Sequence, residues 1–133
     1  MLTLFEIKSR VDELAQKIGA PQILLPAYGH SNPNEGAHVE VGTLTYYYVI
    51  TERGQETSRY AAFDLDELLY KIFANVTFEL AIKYELAHRI ETQDSRRIHF
   101  QRQVELLSAL SSAWAKRDEK EHQEILQRYP FDE

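Results

Sequence analysis

LTYYYVITERGQETSRYAAFDLDELLYKIF, residues 44–73, changes its hydrophobic period partway along. In its first part Leu44, Tyr46, Tyr48 and Ile50 alternate with Thr45, Tyr47, Val49 and Thr51. Most of these residues are β-branched or aromatic, which suits a pleated surface with one buried face. Arg53-Gly54 marks a turn, and Thr57–Phe63 supplies another strand. From Asp64 the spacing becomes helical, with Leu65, Leu68, Leu69, Ile72 and Phe73 followed by Val76, Leu80, Tyr84, Ala87 and Ile90. Asp64 and Glu67 have the spacing of a capping box, and Phe63 and Leu68 flank it as a hydrophobic staple would. The apolar residues of this helix spread over more than one stripe, which predicts a central, buried element.

Upstream, Ala37, Val39 and Val41 alternate with His38 and Glu40, and Gly42 separates this strand from the next. Three sequential strands with short links predict an antiparallel meander. Pro26 to Gly36 is loop chemistry, rich in proline, glycine and asparagine, and Gln22–Leu25 reads as a further short strand. Leu4–Ile18 carries one apolar stripe, opened by Thr3 and Glu6 at capping-box spacing and closed by Gly19 and Pro21. Downstream, Thr92–Ser95 interrupts the helical pattern. A third helix follows to about Leu110 with the stripe Phe100, Val104, Leu107 and Leu110; a kink within one long helix is the other reading. Ser111-Ser112 caps a last helix over Ala113–Arg128, with Trp114, Ile125 and Tyr129 inward. The fold class expected is α+β: an N-terminal helix, a three- to four-stranded antiparallel sheet, then a C-terminal bundle of about three helices packed on it. Residues 1–133 read as a single domain.

The chain has no cysteine, which removes disulfides, thiolate metal sites and cysteine nucleophiles, and fits a reducing compartment. Glu6, Lys8 and Arg10 interrupt the N-terminal apolar residues, so no export signal is read there. Leu44–Ile50 falls far short of the roughly 20 residues a membrane helix needs. The expectation is a cytoplasmic protein with neither membrane nor nucleic acid as partner, because a net charge of −6 repels phosphate backbones. The same charge attracts a basic protein.

Candidate chemistry is sparse. Glu85 with His88, and Glu119 with His122, place a carboxylate and an imidazole on one helical face, as in bundles that hold two metal ions. The second pair lies in the charge run Lys116–Glu121, which reads better as a solvated face. His38 and Glu40 share a strand face without a third ligand at metal spacing. Tyr28-Gly29-His30-Ser31 sits in a loop with no nucleophile elbow and reads as a turn. No catalytic set, metal or cofactor is expected, and the chain reads as a binding protein rather than an enzyme. Arg96, Arg97, His99 and Arg102 form a basic cluster flanked by acids, and pairing between helices is its better reading. Alternation sends Tyr47 to the face opposite Tyr46 and Tyr48, where exposed tyrosine favours protein contacts.

Asp64-Leu65-Asp66-Glu67-Leu68-Leu69-Tyr70, with Ile72-Phe73, Thr77-Phe78, Tyr84-Glu85-Leu86, Arg89-Ile90, Gln93-Asp94, Arg96-Arg97, Trp114 and Tyr129-Pro130-Phe131, carries a resemblance. Over Asp64 to Phe131 the chain resembles the immunity protein 63 family of bacterial polymorphic toxin systems. The resemblance implies a small protein that binds a cognate toxin domain and covers its active surface, and it brings no catalytic residues. The contacts expected for that partner are Tyr28 and Glu35 in or beside the loop, Tyr47 on the sheet, and Asp118, Glu121 and Glu124 on the last helix. Glu85, Arg89, Asp94, Arg96 and Arg97 are expected to form a structural polar network between helices. Two competing readings are a metal-dependent helical enzyme built on the two Glu-x-x-His pairs, and a regulatory or scaffold module with another partner.

Overall fold

A computed structural model describes residues 1–30 and 35–133. The chain groups into two compact units, Met1–Ile72 and Phe73–Glu133. The first holds α1 (Leu4–Ile18), β1 (Ala27–Tyr28), β2 (Glu35–Val41), β3 (Tyr46–Glu52) and β4 (Gln55–Ala62). α2 (Leu65–Ala87) begins in this unit and runs on into the second, which adds α3 (Arg96–Ser108) and α4 (Ser112–Arg128). The fold class is α+β, and α2 and α3 are separate helices.

Local chemistry accounts for α1. The Thr3 hydroxyl accepts the Glu6 N–H while the Glu6 carboxylate accepts the Thr3 N–H, closing the capping box. At the other end Gly19 adopts φ 66°, and its N–H reaches back to the carbonyls of Ala15 and Gln16. Ile7, Val11 and Ala15 are buried. Gln22–Leu24, expected as a strand, is instead a short 3-10 helix. Its local bonds, Leu24 N–H to the Pro21 carbonyl and Leu25 N–H to the Gln22 carbonyl, take up the groups a ladder would need. The extra strand is β1, three residues further on.

The sheet order is β1-β2-β3-β4. β2, β3 and β4 form the antiparallel meander, but β1 runs parallel to β2, so the sheet is mixed rather than wholly antiparallel. Arg53 at φ 52° and Gly54 at φ 76° make the two-residue turn that joins β3 to β4, with the positive φ pair that matches strand twist. Val39, Tyr48 and Tyr60 stand in one cross-strand row, with Tyr46 and Ala62 on the same face. The Leu2 N–H donates to the Tyr46 hydroxyl over 2.8 Å, fixing the start of α1 to this face. The Tyr60 hydroxyl bonds Glu67 and its ring lies 4.4 Å from the Lys71 ammonium, which seats the first turns of α2.

In the helical unit Phe73 stacks on Trp114 at 6.2 Å. The inward face of α3 is His99, Gln103, Leu106 and Leu107, so of the expected stripe only Leu107 is fully buried. The buried residues of α4 are Trp114, Ala115, Asp118 and His122, whereas Ile125 and Tyr129 are exposed, at 41% and 68%. Both departures have one cause. These helices bury polar side chains that hydrogen-bond across the unit, and a hydrophobic stripe passes over them. Among the described residues no helix is long and apolar enough to cross a membrane.

Candidate functional site

A polar layer runs through the helical unit. The Thr77 hydroxyl donates to the Phe73 carbonyl at 2.6 Å, one turn back on α2. The Gln103 amide nitrogen donates to the Ala74 carbonyl at 2.9 Å and to the Thr77 hydroxyl at 3.3 Å. A carbonyl can only accept, so the amide is fixed with its oxygen turned towards α4. There it lies 3.0 Å from Nε2 of His122, which must carry the proton. Asp118 Oδ2 lies 3.2 Å from the same nitrogen and has no hydrogen bond among the described residues.

Burial governs both ionisable groups. It pushes the Asp118 carboxyl up to about 7, with the charge of Glu121 adding to the shift. It pushes His122 down to about 4, with His99 adding. Phe100 stacks on the His122 ring at 4.0 Å, and Phe78 meets His99 edge-on at 4.6 Å. Burial also lowers His99, while a hydrogen bond to the Phe78 backbone and the charge of Glu85 oppose it.

A second cluster fastens the C-terminal tail. Asp94 Oδ1 accepts the Arg96 backbone N–H at 2.9 Å, and its Oδ2 accepts the Arg96 guanidinium at 2.8 Å and the Asp132 N–H at 2.9 Å. These bonds hold the Asp94 carboxyl well below the usual carboxylate range, the Arg96 side chain contributing most. Arg96 also donates to the carbonyls of Tyr129 and Pro130, at 2.8 and 2.9 Å. Arg97 grips Glu133 through two bonds and lies 4.0 Å from the Phe131 ring centroid. Phe131, thus fixed, closes one end of a groove between α3 and α4 that has a volume of about 420 Å³.

In the sheet unit, the face opposite Tyr46 and Tyr48 carries a lattice of charge. Arg59 bonds Glu40 at 2.9 Å and Glu56 at 2.7 Å, and its guanidinium lies 5.3 Å from the Tyr47 ring centroid. His38 Nε2 lies 2.7 Å from Glu40. Arg59 first, then His38, lowers the Glu40 carboxyl to about 2. Val49, between His38 and Arg59 in the register, is fully buried.

The residues singled out in the sequence are distributed as follows. Tyr47 is half-buried on that charged face, and Glu121 and Glu124 are exposed on α4. Asp118, read as an exposed carboxylate, is 4% exposed and belongs to the polar layer. Tyr28 is half-buried, its enclosed hydroxyl has no hydrogen bond among the described residues, and burial raises that hydroxyl well above its ordinary range. The Glu35 side chain and positions 31–34 of the loop lie outside the described residues. Glu85, in the last turn of α2, and Arg89, two residues past its end, form a two-bond pair of their own, at 2.7 and 3.1 Å, apart from the tail cluster of Asp94, Arg96 and Arg97.

The two Glu-x-x-His pairs do not act as pairs. Nδ1 of His88 meets the Tyr84 carbonyl and its ring stacks on Tyr84, while Glu85 is taken by Arg89. His122 is buried against Gln103, and Glu119 is exposed. Among the described residues no three His, Asp or Glu side chains are grouped to hold a metal ion. What spacing along the sequence missed is the partnership of His122 with Gln103 and Asp118. The i,i+4 step from Asp118 to His122 was its one local signal.

Fold and site define a small α+β protein with a buried polar layer among its helices, and with carboxylates and aromatic rings at its surface. The family model described as Immunity protein 63 matches residues 42–124, and the chain belongs to that family. The match takes in β3 and β4 as well as most of the helical unit. Comparison with curated proteins and with solved structures found no match.

Proposed function

We propose that this protein binds a cognate toxin domain in the bacterial cytoplasm and neutralises it by covering its active surface, without turnover of its own. Membership of the immunity protein 63 family carries this reading. The physical character of the chain supports it. A net charge of −6 speeds encounter with a basic partner such as a nuclease.

Tyr47, Glu121 and Glu124 are the proposed contacts whose side chains reach solvent. Asp118 and the Tyr28 hydroxyl are buried, which supports leaving these two out of the proposed contacts. Co-expression with the product of the adjacent gene tests the reading. Growth restored by the pair, together with co-purification that weakens as salt is raised, is the expected result. Undiminished killing with no complex formed would overturn it.

A further inference from the structure

The groove between α3 and α4 has an apolar floor and acidic walls. Phe100 and Val104 from α3 and Leu126 from α4 make the floor, with Phe100 braced from below by the His122 ring. Glu105 stands on one wall and Glu119 on the other, and both are exposed. The lining contains no lysine or arginine, and its third ionisable residue, His122, is held neutral by burial. Among the described residues Glu105 has one weak ion-pair partner, Arg102 at 3.5 Å, in an exposed pair of little worth. Glu119 makes no ion pair among the described residues.

We propose that this groove receives an arginine or lysine side chain from the partner protein. The inference rests on the immunity reading and names the chemistry by which the partner is held. A long basic side chain has the two properties the groove asks for, an apolar stem for the floor and a cationic head for the walls. Arginine fits best, because its planar head can stack on an aromatic ring while bonding a carboxylate. The protein already makes that arrangement at the end of the same groove, where Arg97 lies on Phe131 and is bound by Glu133. A volume of about 420 Å³ sits at the low end of ligand clefts, roughly 300–1,000 Å³, which suits side chains rather than a folded element.

Two measurements test this on the full chain. In the first, the blocked peptide Leu-Arg-Leu is titrated by NMR beside Leu-Gln-Leu. The arginine peptide is expected to shift the Val104 and Leu126 methyl signals, and the glutamine peptide to leave them in place. The shifts should vanish in the double variant Glu105→Gln/Glu119→Gln but persist in Glu13→Gln/Glu52→Gln, which removes equal charge elsewhere. Equal shifts from both peptides, or shifts that survive the groove variant, would overturn the proposal.

The second measurement uses the toxin encoded by the adjacent gene. The groove variant should bind it on the order of tenfold more weakly than the control variant. Equal affinities would overturn the groove while leaving neutralisation standing. A specific response to the arginine peptide with no toxin binding by the wild-type chain would uphold the groove and reject the immunity reading.

Discussion

Gln103 sets the tautomer of His122, and burial sets the charge of His122 and Asp118. The Gln103 amide donates to the Ala74 carbonyl and so offers only oxygen to His122, which settles the imidazole tautomer. Two opposed pH effects follow. The Asp118 carboxyl rises from 3.8 to about 7 on folding, so it contributes stability that is full below about 4 and lost as pH climbs through 7. His122 falls from 6.5 to about 4, so its contribution is full above about 6.5 and lost as pH drops through 4. Between about pH 4 and 6.5 the two offset each other in the wild-type chain, and single substitutions should unmask them. Asp118→Asn should gain stability as pH rises from about 4 to 6.5, whereas His122→Gln should lose stability from about 4 to 7. Urea unfolding across that range reads both slopes, and slopes of the same sign would refute the assignment. Beyond the i,i+4 step from Asp118 to His122, none of this was legible in the sequence. His122 was visible there as the partner of Glu119, three residues away, because spacing shows which residues share a face and not which are enclosed.

Elements whose ends are decided locally were legible. Thr3 and Glu6 predicted the start of α1, and Asp64 that of α2, where the Glu67 N–H bonds the Asp64 carboxylate at 2.8 Å. Thr3→Ala should therefore cost about 1 kcal/mol, seen as a fall of a few degrees in Tm. An unchanged Tm would mean that the cap adds nothing beyond the packing of Ile7 and Val11. Elements decided by distant partners were not legible. β1 has only two residues and exists because β2 lies beside it, eleven positions on in the pairing of Ala27 with His38. The apolar Gln22–Leu25 looked the better strand, yet local bonds following Pro21 coil it. The stripe of α3 misled in the same way, since burial of Gln103 depends on what Ala74 and Thr77 present to it, and burial of His99 on Phe78.

At the scale of the molecule, the sequence reads as one domain while contacts group the chain into two units. We propose that the units unfold as one, because α2 belongs to both and a helix frays poorly from its middle. The aromatic residues are divided in a way that lets this be checked. Trp114, the sole tryptophan, sits in the helical unit against Phe73, whereas Tyr28, Tyr46, Tyr47, Tyr48, Tyr60 and Tyr70 all lie in Met1–Ile72. Indole emission therefore follows one unit, and phenol absorbance mainly follows the other. Coincident denaturant midpoints are expected, and separated ones would divide the chain into two cooperative blocks. The stacked indole thus gives the protein a built-in optical gauge, able to report without any added dye whether a disturbance has reached the helices.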